Sequence, residues 1–493
     1  MRRAFASLPQ GLKLVPVLLA LSACSLQPDY KQPPMPTTAT YGPELGPDAD
    51  GPLAIDVGWR DFFPDTRLQR FIALALENNR DLRQAVLRIE EARAQYRIQR
   101  AEQLPNVTID GSAVRSRSAV GGAGAIPGGA QGGAATFNRY QIGVNVSAFE
   151  LDFWGRVRSL SEAARAAYLS TIEAQRAFML SLIADVATVY LIEREFSERI
   201  RLAEQTVRSR RESLEISRLR LEAGVTSALD YRQTETLLTQ AETELASLQR
   251  QRAQNRNAMQ VLIGGPLPED LPPPRPLSNQ GIIENISAGL PSDLLVNRPD
   301  ILAAEEELRA ANANIGAARA AFLPRISLTG FFGFASTELD QLFGNDGESW
   351  SYGPALTLPL FDAGRNEANL DIAVARRNIA VANYELTIQN AFREVADALA
   401  ARRWLAEQFA AQERGLIAER DRAELAELRY RNGVADYIEV LDAQRQLFAA
   451  EQLLVQTRQA QLSNAVALYV ALGGGLRAES ATTATTSPLP VPR

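Results

Sequence analysis

Few kinds of side chain in this sequence can do chemistry. There is no histidine among the 493 residues, and the single cysteine is Cys24. The only lysines are Lys13 and Lys31, both near the N-terminus. Without histidine or a second cysteine the body of the chain cannot build Ser-His-Asp or Cys-His nucleophile systems or His/Cys metal sites, and it has no lysine for a Schiff base. Carboxylates are abundant, with 58 Asp and Glu, so two-carboxylate hydrolysis survives as a formal option. No P-loop or other nucleotide motif is present. The chain reads as a non-enzyme without cofactor or metal.

The one thiol sits at a marked place. Arg2, Arg3 and Lys13 precede an apolar run at residues 14–21, the charged and apolar regions of a secretory leader spanning 1–23. The run ends in Leu21-Ser22-Ala23-Cys24, which resembles a bacterial lipobox. That resemblance implies cleavage before Cys24 and covalent lipid on its thiol and new amine. The plainer alternative is an ordinary leader followed by an incidental cysteine. Ser25 stands where an Asp would favour inner-membrane retention in lipoproteins, so the outer membrane is the expected destination. Residues 24–58 are rich in proline and poor in apolar side chains, an acylated, extended tether.

The formal charge is −6, and loss of the cationic leader makes the remainder more acidic. A net-acidic chain without a basic cluster does not suit nucleic acid. Beyond the N-terminus no run of about eighteen apolar residues occurs, so no transmembrane helix is expected.

Whatever these residues do must be positioned by a frame that occurs twice. Residues 217–265 are echoed at 427–475, Gly155 in DFWGR by Gly364 in DAGR, and Leu104-Pro105 by Leu323-Pro324. The offset is roughly 210 residues, far beyond the repeats of solenoids and propellers. Two structural units follow, 59–265 and 291–475, each of helix, two strands, long helix and helix. A linker at 266–290 joins them, and a disordered tail at 476–493 closes the chain.

Within each unit two stretches alternate strictly between apolar or small and polar residues: 106–113 and 141–148, then 325–332 and 352–358. Period-two alternation puts one set on each face of a strand. The Gly-rich stretch 119–135 reads as an external loop. A soluble sandwich with one buried face is one home for such strands. An outer-membrane barrel is the other, and it forbids open edges in lipid. Two chains would supply about eight strands and three about twelve, both acceptable. Between about Gly155 and Leu221 neither Pro nor Gly interrupts the chain, and between Gly364 and Arg431 only Gly415 does. Apolar residues recur there at helical spacing, as in Ala174, Phe178, Leu182, Val186 and Val189, or Ile372, Ile379, Ala382 and Leu386. Rods of about 65 residues would rise about 100 Å, and their stripes need lateral partners. Shorter helices are expected at 227–263 and 436–472, each after a helix-ending glycine, Gly224 or Gly433.

Three stretches in this order carry a family resemblance over roughly residues 59–475. They are Trp59-Arg60-Asp61-Phe62-Phe63, Asn297-Arg298-Pro299-Asp300-Ile301, and YRNGVADYIEVLDAQRQLFAAEQ running on to ALGGG. On the duplicated frame and behind the lipobox, the chain resembles the TolC-like outer-membrane factors, in their lipoprotein branch. The resemblance implies an α+β membrane protein: a homotrimer with a transmembrane β-barrel of about twelve strands, four per chain, continuous with a long periplasmic α-helical barrel. It implies a passive, gated exit duct of a tripartite efflux system. Its partners would be a periplasmic adaptor (membrane fusion protein) and an inner-membrane pump, most simply of RND type. The competing reading is a non-transporting coiled-coil lipoprotein, a spacer or adhesin.

The resemblance also assigns the periplasmic mouth. Matched on Gly433, the constriction falls on the acids Glu439 and Asp442, with Ile438 as an apolar ring and Arg445 one turn beyond. Copies of one carboxylate around an axis repel, which would raise their pKa or recruit cations. A solvated helix-surface acid is the alternative for Asp442, and an i,i+3 pair with Asp442 the alternative for Arg445. By the same match a latch joins Tyr430, before the second glycine, to Asp230, after the first.

Overall fold

The computed structural model describes residues 26–42, 51–118 and 135–480. Cys24, the leader, all of the Gly-rich stretch but its last residue, and the tail beyond Ser480 lie outside the described residues. The first pass through the frame is α1 (Trp59–Phe62), α2 (Thr66–Asn78), α3 (Arg80–Ala101), β1 (Val107–Ser118), β2 (Ala135–Glu150), α4 (Arg156–Glu222) and α5 (Ala228–Leu262). The second is α6 (Leu294–Asn297), α7 (Pro299–Ala320), β3 (Arg325–Ser336), β4 (Glu348–Thr357), α8 (Arg365–Arg431) and α9 (Tyr437–Ala471). Equivalent helices have equal lengths: 22 residues in α3 and α7, 67 in α4 and α8, 35 in α5 and α9.

The ends of the helices explain that equality. Asp152 accepts from the backbone N–H groups of Val157 and Arg158 at 3.1 and 2.8 Å. Asp362 does the same for Gly364 and Asn366 at 3.0 and 2.9 Å, so each rod begins on an aspartate. Each rod ends on a left-handed glycine, Gly224 at φ 74° and Gly433 at φ 71°. The two N–H bonds of a Schellman turn follow, Gly224 to Leu221 and Val225 to Arg220, then Gly433 to Tyr430 and Val434 to Arg429. The duplication extends to side chains. Asn255 donates to the Val189 carbonyl and Asn464 to that of Ala398. Asn79 donates to the Leu262 carbonyl and Arg298 to that of Ala471.

The chain divides into two compact units. One comprises the chain through Pro33, Glu90–Ser170 and Glu305–Asn383. It holds the antiparallel sheet, in the order β1-β2-β3-β4. The strands are longer than the alternation predicts, because pairing continues past the strictly alternating core. The β2·β3 register shifts between Val146 and Phe149, at Ala148 with φ 47°, a bulge that ends regular pairing near the strand base. The tether is not loose here. Asn312 and Arg319 of α7 donate to the carbonyls of Pro28 and Leu26, and Tyr30 donates to Glu305 at 3.0 Å.

The other unit comprises Pro34–Ile89, Thr171–Ala304 and the chain from Tyr384 on. Its core stacks Phe62 on Tyr469 at 3.9 Å, with Phe63 edge-on. Tyr190 is buried and donates to Asp65 at 2.6 Å, while Asp65 caps α2 at Arg67 N–H. One stretch of α4 is apolar enough by composition to cross a bilayer. In this unit it is core instead, with Leu182, Ile183, Val186 and Leu191 buried and Ile183 reaching Gly475. In α8 the buried stripe is Tyr384, Ile388, Ala391 and Val395, not the Ile372, Ile379 and Leu386 read from spacing, which are exposed. The helix carries two apolar stripes, and the chain covers one. The tail expected to be disordered begins ordered: Trp59 and Arg60 N–H donate to the carbonyls of Arg477 and Ala478, and Ser480 bonds to Asp61.

Candidate functional site

Among the described residues of the sheet only Gly333 is buried. The cross-strand row Ile109, Val144, Phe332, Trp350 runs through all four strands, and each member is exposed, from 40 to 76%. The row two residues away, Val107, Val146, Gly330, Tyr352, lies on the same face. Between them, on the opposite face, lies Thr108, Asn145, Phe331, Ser351, and on its other side Asp110, Gly143, Gly333, Ser349. There Thr108 and Asn145 both donate to the Asp110 carboxylate, at 2.7 and 3.3 Å. An apolar belt on one face and small or polar groups on the other suit lipid and water respectively.

The second site is the turn region at the ends of α4 and α8. Ser227 caps α5: its hydroxyl accepts from Asp230 N–H at 3.1 Å while Asp230 accepts from Ser227 N–H at 3.2 Å, a capping box. Asp436, at the equivalent position before α9, makes no side-chain cap bond. The Asp230 carboxylate also takes the hydroxyls of Ser227 and Thr226, and the Ser227 bonds hold its pKa below the ordinary carboxylate value. The expected latch partners are thus otherwise engaged in this chain. Tyr430 accepts from Arg220 at the end of α4 and its ring lies 4.8 Å from that of Tyr437, tilted by 46°, and Arg220 also contributes to the lowered pKa of Asp230.

Beside this turn a cleft of about 1100 Å³ opens between α5, α8 and α9, and it brings together Ile438, Glu439, Asp442 and Arg445. Asp442 accepts from Arg422 and from Arg445, both at 2.5 Å, and Glu439 lies 3.5 Å from Arg429. The Arg422 bond, then the charges of Arg422 and Arg445, hold the Asp442 carboxyl below its ordinary value. Within one chain these guanidinium partners favour the charged carboxylate; the upward shift expected from repulsion belongs to copies of the acid around an axis. Ile438 is 56% exposed, free of the core cluster of Ala423, Ala426, Val440 and Ala443. The sequence reading missed Arg422, Arg429, Arg220 and Ser227. Ser227 had a local signal in the Ser-x-x-Asp capping pattern; the arginines reach their partners from other helices.

The family described as outer membrane efflux protein matches residues 71–265 and 290–474. The solvent efflux pump outer membrane protein SrpC of Pseudomonas putida is 46% identical over 479 residues, 96% of this chain and 98% of its own. The cation efflux system protein CusC of Escherichia coli O6:H1 is 42% identical over 94% of this chain and 98% of its own. The open-state MtrE outer membrane channel of Neisseria gonorrhoeae superposes with a TM-score of 0.83 at 39% identity, over 93% of this chain and all of that one. With both repeats matched and the fold shared along nearly its whole length, the chain belongs to the outer membrane efflux protein family.

Proposed function

We propose that this protein is the passive exit duct of a tripartite efflux system, conducting small molecules outward from a periplasmic adaptor and an inner-membrane pump of RND type. The observation that carries it is the sheet: four strands, apolar across one face, polar across the other, and without a partner at either outer edge among the described residues. In lipid such a sheet must close with copies of itself, and three chains supply a barrel of about twelve strands. The exposed second stripe of α8 supports lateral packing of the rods in the same homotrimer. Lipid on Cys24 would supply a second membrane attachment. Glu439, Asp442, Ile438 and Arg445 would form the gate, and Tyr430 and Asp230 its latch through Arg220. Histidine is absent from the sequence, which leaves this reading without a His-based catalytic role to explain.

The test is ion conductance of the purified protein in planar bilayers, together with its migration before and after heating in detergent. Discrete channels from a heat-labile oligomer are expected. A monomer that never conducts would instead support the coiled-coil spacer reading.

A further inference from the structure

Charge is distributed unevenly along the first hairpin. Between Gly111 and Phe149 the sequence holds Arg115, Arg117 and Arg139 and not one acid. The strand pairs sort these arginines by face. Arg115 pairs with Asn138 and Arg117 with Thr136, and both follow Ile109, Gly111 and Ala113 at steps of two. They therefore stand on the face of the apolar belt. Arg139 pairs with Val114, so it lies on the opposite face, that of Asp110. Arg115 and Arg117 are both exposed, and among the described residues neither forms an ion pair.

The ladder also sets their height. The helices α3, α4, α7 and α8 meet the sheet at its Val107, Glu150, Arg325 and Thr357 end, and the arginines lie toward the other. Arg115 and Arg117 come eight and ten residues after Val107, about 27 and 34 Å along the strand. A strand tilted by about 40° lifts them about 21 and 26 Å above Val107, and a lipid-facing apolar band is about 25 Å tall. Their guanidinium groups thus reach the far boundary of the hydrocarbon. Tyr140, opposite Ala113, occupies the row directly beneath, where interfacial aromatics belong.

Two like charges about 7 Å apart on one strand, beside a low-dielectric surface, repel unless an anion sits between them. The paired strands supply none nearby. Glu348 shares this face, but it stands on β4 in the row of Phe334 and Gly111, about 20 Å away by strand and row spacing. That is beyond two screening lengths. We propose that Arg115 and Arg117 together bind the phosphate of an anionic glycolipid in the outer leaflet, whose acyl chains lie on the belt below. Two planar forks on one side of a phosphate can each give paired N–H bonds. Asn138 and Thr136 add neutral donors in the same two rows. The second hairpin cannot compete for this headgroup, because its outer turn carries Glu338, Asp340 and Asp346 and no Lys or Arg.

The proposal rests on the barrel reading, and the readouts keep the two apart. The purified oligomer in uncharged detergent is mixed with bisphosphorylated lipid A, and bound lipid is counted by native mass spectrometry. The unsubstituted protein should retain it, and should hold the same lipid stripped of its phosphates about tenfold less tightly. Arg115→Gln with Arg117→Gln should weaken retention about tenfold or more, the scale of one lost bond to a charged group. Arg115→Lys with Arg117→Lys keeps the charge and should stay within about threefold. Arg139→Gln removes an arginine of the same hairpin from the other face and should change nothing. Should the double Gln variant fail to assemble, Arg117→Gln alone should lower retention about threefold. Retention by the assembled Gln variant equal to that of the unsubstituted protein, or an equal fall with Arg139→Gln, would overturn the site. So would displacement of the lipid by inorganic phosphate at equal concentration. In each of those cases a heat-labile, conducting oligomer leaves the barrel standing; its loss from the unsubstituted protein would overturn both.

Discussion

Asp442 shows how one side chain's neighbours decide its role. A lone acid facing copies of itself would hold its proton more tightly, but Arg422 and Arg445 surround this one. Its pKa lies below the ordinary 3.8. A depressed folded pKa means that the ion pair is complete above about 3.8 and is lost only as the pH falls through a lower value. Conductance in planar bilayers should therefore stay flat from pH 8 to about 4 and change only below that; a step near pH 5–6 would restore repulsion as the main term. Substitution separates the two causes further. If pairing holds the mouth, Asp442→Asn and Arg422→Gln should both raise single-channel conductance, by about two- to fivefold, the scale of an exposed pair. If repulsion dominated, the two variants would move it in opposite directions. Arg220 can be read in the same way. Tyr430→Phe removes its acceptor but keeps the ring that the guanidinium faces at 5.4 Å. It should open the mouth less than Arg220→Ala, which removes both contacts and the charge near Asp230.

The two turns that the duplication makes equivalent are not held equally. Both end their rods on a glycine, yet only α5 begins on a capping box; α9 begins on an aspartate that caps nothing. Ser227→Ala should cost its turn about 1 kcal/mol, read as about fivefold faster amide hydrogen exchange at residues 228–231. Asp436→Ala should leave exchange at residues 437–440 unchanged. Equal responses would mean that the caps do not set the difference. Elements with sharp ends were also the most legible in the sequence. The 67-residue helices were readable within a residue or two, since glycine stops them and no proline, and only Gly415, lies inside them. Strands were legible only over their alternating stretches, which for β1, β3 and β4 lie at one end of the strand. Val114-Arg115-Ser116 continues β1 by pairing with β2, and pairing leaves no periodic mark in one strand alone. Which apolar stripe of α8 the chain buries was hidden for the same reason, because both stripes have helical spacing. The acids of the mouth came from a family match, while Arg422 is held against Asp442 by the packing of α8 on α9, which no spacing encodes.

On the barrel reading, the sheet and a lipid on Cys24 would hold the whole chain to its membrane at two places, and the segment between them is itself fastened. Residues 26–30 lie on α7: Leu26 and Pro28 carbonyls accept from Arg319 and Asn312, Tyr30 donates to Glu305, and the Arg309 guanidinium faces the Tyr30 ring at 5.1 Å. Gly316 makes this approach possible, because a Cβ there would lie 2.9 Å from Gln27 Cα and 2.7 Å from Ser159 Oγ. Backbone at 2.9 Å cannot yield by a rotamer change, so a larger residue at 316 must displace the strap. Lys31 adjoins it and is the sole lysine after Cys24, so an endoproteinase specific for lysine has one place to cut in the mature chain. Cleavage needs the flanking backbone to leave its partners, and where opening is fast the rate follows the population of the open form. Losing only two of these three hydrogen bonds, at about 1 kcal/mol each, puts that population roughly thirtyfold higher once the strap is displaced. Gly316→Leu should therefore be cut at Lys31 at least tenfold faster than the natural chain, with the heat-labile oligomer retained. Gly415→Leu, on a glycine whose Cβ would meet nothing within 4 Å, should be cut at the natural rate. Equal rates for Gly316→Leu and the natural chain would mean that the strap is not held by α7, and that the segment behind Cys24 is the loose tether its composition first suggests.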